Sequence, residues 1–247
     1  MCLIVNELCK FRRDRSLAFL LALALLPVAT GAAGTLIGER GAAADLVFFI
    51  NNQFSMFFPM AAVMLAGSAV CREWRDGTYL SWVTYGIPRG RLLAAKAAVC
   101  AGLSALMALA VFAALALACL LLSADGAGAV PVLAAFAPGF AAEALSVVVV
   151  STAAGVLVGV ASRSQLAVSA SAVAYGFASC LFIGAEWSFV VPGSFAYRVA
   201  TACLDPATYY DSSLAATGGG ALATLAAAIV LAAVAGVVFS RGRKVEP

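Results

Sequence analysis

Few residues in this chain could make or break a covalent bond. There is no histidine among its 247 residues, which removes imidazole acid–base catalysis, a Ser-His-Asp triad and histidine ligation of a metal. The seven cysteines (Cys2, Cys9, Cys71, Cys100, Cys119, Cys180 and Cys203) show no C-x-x-C spacing. They read as small apolar fillers or reduced thiols, not as a disulfide framework. No GxxxxGK[ST] phosphate loop occurs, so the chain is not a nucleotide hydrolase of that kind. What remains is recognition chemistry, concentrated in the stretch 72–96, REWRDGTYLSWVTYGIPRGRLLAAK. Asp76 or Thr78 can cap a helix start, Tyr79, Leu80, Trp82 and Val83 follow as an apolar face, and Gly86 and Pro88 end it. A short helix with exposed Trp and Tyr, flanked by charge, suits either a groove on another protein or the lipid headgroup layer.

The other polar groups lie inside long apolar runs. Asn51, Asn52, Gln53 and Ser55 cluster in the second run, and Ser171, Tyr175 and Ser179 repeat at i, i+4 and i+8 in the fifth. Such groups either line a cavity for an amphiphilic molecule or hydrogen-bond one helix to the next. No Lys or Arg stands in the core of any run, and the nearest acid, Glu143, reads as close to the outer end of the fourth. A carrier driven by protons or ions places ionisable residues mid-membrane, so energy is expected from elsewhere.

The elements that must position these residues follow from composition. The chain is 64% hydrophobic and 11% charged, with mean hydropathy +1.03. A soluble domain carries about 25% charge; half of that cannot cover a water-facing exterior, whereas a bilayer accepts an apolar one. At about 20 residues per span, six runs qualify: 16–37, 48–71, 97–122, 138–161, 166–185 and 218–239. The expected fold is all-α, one membrane domain over 1–247 with six transmembrane helices. With that count, thirteen of the fifteen Lys and Arg fall on one face, leaving only Arg40 and Arg198 on the other. Positive residues stay inside, which predicts a cytoplasmic N-terminus, 72–96 loop and C-terminus.

Three further segments carry information. In 1–15, Ile4, Leu8 and Phe11 fall on one helical face with Glu7, Lys10 and Arg13 among the rest, which predicts an amphipathic entry helix along the inner membrane surface. The basic start before the first run could imitate a secretory leader, but the run is long and five more follow, so a retained span is expected. Ser151, Gly155 and Gly159 follow the small-xxx-small pattern, with internal packing preferred over a dimer face. The outer segment 186–217, with Trp187, Phe189, Phe195, Tyr197, Tyr209 and Tyr210 spread along it and Pro192 and Pro206 as breaks, predicts short helices at the outer interface.

The layout resembles the permease subunit of ABC-2 type transporters, most of all the small bacterial permeases of bacitracin resistance and lantibiotic immunity. The likeness rests on the entry helix, two spans, then a cytoplasmic loop with Glu73, Gly77-Thr78, the apolar stretch Tyr79 to Val83, the turn Pro88-Arg89-Gly90-Arg91 and a closing Lys96, followed by four more spans. The resemblance implies an exporter subunit in the bacterial plasma membrane, for a peptide antibiotic or another amphiphile. Glu73, Gly77, Thr78, Tyr79, Leu80, Trp82, Val83, Pro88 and Arg89 would form the coupling segment seated in cytoplasmic ABC ATPase subunits. A second permease, identical or paralogous, would complete the pathway, with spans 1, 2 and 5 facing it. The chain itself would bind no cofactor; ATP and Mg would sit on the ATPase, with membrane lipid as surroundings and no nucleic-acid partner. The competing reading is a non-transporting membrane scaffold or sensor partner.

Overall fold

A computed structural model describes residues 3–12, 14–38, 41–76, 88–124 and 128–241, the side chains of Arg89 and Arg241 excepted. Eight α-helices and two short 3-10 turns make up the described chain, with no strand among the described residues. They are α1 (Leu3–Phe11), α2 (Arg15–Ile37), α3 (Ala43–Arg75), α4 (Arg89–Leu122), α5 (Ala129–Ser162), α6 (Gln165–Leu181), α7 (Pro192–Thr201) and α8 (Ser213–Arg241), with 3-10 turns at Glu186–Val190 and Pro206–Thr208. Five of these (α2, α3, α4, α5 and α8) are long and apolar enough to cross a membrane, and α6, of 17 residues, is a shorter apolar helix. The exterior is apolar: Phe19, Leu109, Leu145 and Leu222 each expose more than half of their surface. A bilayer tolerates this and water does not.

Helix α3 is the central post. Its packing partners are α2, α4, α5, α6 and α7, and its buried residues run from Ala43 to Glu73. One close crossing is with α5. A Cβ on Gly155 would lie 2.5 Å from the Val63 carbonyl oxygen, and one on Gly159 would lie 2.8 Å from the Gly67 oxygen. The two backbones touch because no side chain stands between them, so the small-residue run packs internally. Phe54 stacks on Phe58 at 4.6 Å and meets Phe140 of α5 at 4.9 Å, filling the wider half of the same interface.

Several boundaries differ from the sequence expectation. At about 1.5 Å per residue, α3, α4 and α5, with 33, 34 and 34 residues, each reach about 50 Å, well beyond a hydrocarbon core of about 30 Å. Both ends of the stretch 72–96 are therefore helical, because α3 continues to Arg75 and α4 begins at Arg89. Helix α5 runs through Pro138 and starts at Ala129, so Glu143 is an interior residue of a long helix instead of an end residue. Helix α6 stops at Leu181, since Phe182 and Ile183 extend the apolar run but turn out of the helix. The outer segment does hold short helices: α7 lies against α5, where a Cβ on Gly139 would be 2.9 Å from Ala200. Arg198 pins this cap, donating to the Ile183 carbonyl at 2.8 Å and lying over the Tyr210 ring at 4.3 Å.

Candidate functional site

The last turn of α3 gathers the ends of several other helices. Successive side chains on an α-helix point about 100° apart, so Arg72, Glu73 and Trp74 face three directions and each holds a different element. Arg72 pairs with Asp14, the N-cap of α2, and its guanidinium lies 5.7 Å from the Phe11 ring of α1. Trp74 meets Phe239 of α8 edge to face at 6.5 Å, while Arg163, in the turn between α5 and α6, lies 4.1 Å over the indole.

Glu73 belongs to a four-residue ionic network. Lys96 of α4 donates to Glu7 at 2.6 Å and to Glu73 at 2.7 Å, and Lys10 donates to the same two carboxylates at 2.6 and 2.7 Å. Two ammonium and two carboxylate groups balance. Glu7, Glu73 and Lys96 are buried, so the pairing is shielded from salt and solvent. Burial alone would push the Glu7 carboxyl up. Lys96 beside it and the hydrogen bonds from both lysines more than offset this and hold it below its ordinary value of 4.5. Burial likewise opposes the charge of Lys10, yet its bonds to Glu7 and Glu73 raise it above its ordinary 10.5. The network thus joins α1 to the end of α3 and the start of α4.

Of the predicted coupling residues, Glu73 is in the network and Pro88 is the exposed N-cap of α4. Arg89 opens α4, its side chain outside the described region, and Gly77, Thr78, Tyr79, Leu80, Trp82 and Val83 lie outside the described residues. The inner face of α1 is set by Glu7 and Phe11, whereas Ile4 and Leu8 are about half exposed. The expected apolar stripe is thus split, with Phe11 turned into the bundle and the other two outward.

The mild polar groups occupy separate environments. Gln53 accepts from Thr30 of α2 at 2.8 Å, Asn52 is exposed, and the Ser55 hydroxyl is 3.4 Å from the Cys180 thiol of α6. Ser171 and Tyr175 are half-buried. Ser179 is buried, donates to the Tyr175 carbonyl at 3.0 Å, and its own carbonyl accepts from Ser194 at 2.8 Å. Asn51 faces Glu143 across the α3–α5 interface, both fully enclosed. The two lie close, yet neither the amide nor the carboxyl makes a hydrogen bond of ordinary geometry to any described group. An enclosed acid within a membrane-crossing helix is the feature that hydropathy alone places too far out.

Residues 3–179 match the family model described as ABC-2 family transporter protein. The chain belongs to that family. The match covers α1 to α6 nearly whole and ends before the outer cap and α8. As an ABC-2 permease, the chain is the membrane subunit of an ABC transporter and not itself the ATPase, and its family implies association with ABC ATPase subunits. No curated protein matches the chain.

Proposed function

We propose that this ABC-2 permease is the membrane-spanning subunit of an ATP-driven exporter in the bacterial plasma membrane, with six spans and both termini in the cytoplasm. Two permeases would enclose the pathway and two cytoplasmic ATPases would bind beneath them, carrying the ATP and Mg. The segment Gly77 to Val83, with Trp82 and Leu80 as anchors, would seat in the ATPase, and Pro88 and Arg89 would return the chain to α4. The observation that supports this most is the ionic network of Glu7, Lys10, Glu73 and Lys96. A loop that receives force needs rigid stems, and this network fixes both stems to the entry helix. The cargo in this reading is a peptide antibiotic or another amphiphile, consistent with an exterior open to lipid.

The test is copurification with the ATPase in mild detergent. A central aromatic anchor contributes about 2 kcal/mol or more to such an interface, so Trp82→Asp should strip the ATPase from the complex while leaving the permease in the membrane at normal abundance. Full ATPase association and transport by Trp82→Asp would remove the docking role.

A further inference from the structure

A cavity of about 620 Å³ opens at the inner end of the bundle, between the start of α2, the inner half of α3 and the start of α6. That volume lies in the range of about 300–1,000 Å³ usual for small-molecule sites. Phe19, Leu20 and Met64 give it an apolar wall, while Lys10, Arg72, Arg75 and Arg163 stand around it against one acid among its lining residues, Asp14. Arg72 is occupied by Asp14, Arg75 by Asp76 and Lys10 by its two glutamates. Arg163 differs. Among the described residues its guanidinium makes no ion pair or side-chain hydrogen bond, and it rests only on the Trp74 ring.

The backbone beneath Arg163 is the second observation. With φ 51° and ψ 18° it is left-handed, the only non-glycine residue with positive φ among the described residues. Glycine takes this position after a helix without penalty, and a side chain there is disfavoured. The turn therefore holds a strained, exposed arginine where a glycine would fold more easily, and that arginine is one of the residues lining the cavity. The N-terminal end of α6, capped by Ser164, adds its partial positive charge at the same cavity.

We propose that this cavity binds the phosphate head of a net-anionic amphiphile, one without a compensating cation, with Arg163 as its principal donor and the Phe19, Leu20 and Met64 wall taking the start of its chain. The proposal rests on the topology above for placing the mouth at the inner leaflet, and adds the chemical class of ligand that the permease would admit there.

The experiment uses the full-length protein purified in neutral detergent, with dihexanoyl phosphatidylglycerol as probe and binding read by tryptophan fluorescence and by native mass spectrometry. Dihexanoyl phosphatidylcholine and free glycerol phosphate are the comparison arms. Phosphatidylglycerol is expected to bind at least about tenfold more tightly than either: than phosphatidylcholine because the choline cation cancels the charge that faces Arg163, and than glycerol phosphate because only the lipid fills the apolar wall. Arg163→Gln should abolish the preference over phosphatidylcholine. Arg163→Gly should abolish it too while raising thermal stability, since glycine relieves the left-handed turn; a purely structural arginine would not separate the two readouts. Equal phosphatidylglycerol binding by wild type and Arg163→Gln overturns the site, as does equal binding of phosphatidylcholine. Glycerol phosphate binding as tightly as the lipid overturns the amphiphile and leaves a soluble anion. Topology is read separately by accessibility labelling, so a failed membrane orientation and a failed binding site give different results.

Discussion

At the scale of single residues, Lys96 is the most exacting position. It is an ammonium group in an otherwise apolar stretch of α4, buried and held by Glu7 and Glu73. Lys96→Met would leave two enclosed carboxylates facing Lys10 alone, and breaking such a pair costs about 3–5 kcal/mol. A large fall in the detergent melting temperature is expected, whereas Arg12→Met, at an exposed site, should change it little. The pH dependence has a definite sign. Glu7 is depressed in the fold, so its contribution is present above its ordinary value of 4.5 and is lost as pH falls through its lower folded value. Lys10 is raised, so its share is complete below 10.5 and is lost as pH climbs through its higher folded value. The melting temperature should therefore decline at both extremes, and Lys96→Met should shift the acid decline. Glu143 and Asn51 give a second test. Glu143→Leu removes an enclosed carboxyl that makes no hydrogen bond of ordinary geometry, so it should cost less than about 1 kcal/mol, and Glu143→Leu with Asn51→Leu should depart from the sum of the two single changes because the groups face each other. Melting curves of the four proteins decide it.

At the scale of elements, the α3–α5 crossing depends on absent side chains. Gly155→Leu would force the two backbones apart at the Val63 carbonyl, and overpacking of this kind costs about 1–3 kcal/mol or more. Loss of a monodisperse peak on gel filtration after detergent extraction is expected, while Gly102→Leu, with open space around its Cβ, should behave as wild type. This level also shows what the sequence could disclose. Helix α2 begins and ends within a residue of expectation because an uninterrupted apolar run has only one way to cross a bilayer. The extensions of α3, α4 and α5 are not legible, because outside the hydrocarbon a helix persists through tertiary pairing, and nothing local says that Lys96 will find Glu7. A lone lysine between Ala95 and Ala97 is the available signal, since an isolated charge in an apolar helix needs a distant counter-ion. The face of α1 escapes for the same reason: periodicity ranks Ile4 with Phe11, but the Lys96 ammonium that donates to Glu7 decides the rotation. Pro138 reads as a boundary, yet a proline inside a packed helix is tolerated, and that difference is what moves Glu143 inward.

At the scale of the molecule, orientation is the testable quantity. Cys9 and Cys203 are both exposed and lie toward opposite ends of the bundle, beside the ionic network and in the outer cap. In single-cysteine variants of intact cells, a membrane-impermeant maleimide should modify Cys203 and spare Cys9 until the membrane is opened; the reverse pattern would invert the proposed topology. The dimensions of α3 carry a mechanical consequence. It is one unbroken helix of 33 residues with Glu73 and Trp74 clamped at one end and Asn51 and Ser55 near the other. Such a rod is a lever arm: pivoting it by about 5° about one tip sweeps the opposite tip through about 4 Å over its length of about 50 Å. A push too slight to unpack any interface at the root would therefore arrive at the far leaflet as a stroke wide enough to pull neighbouring side chains out of contact.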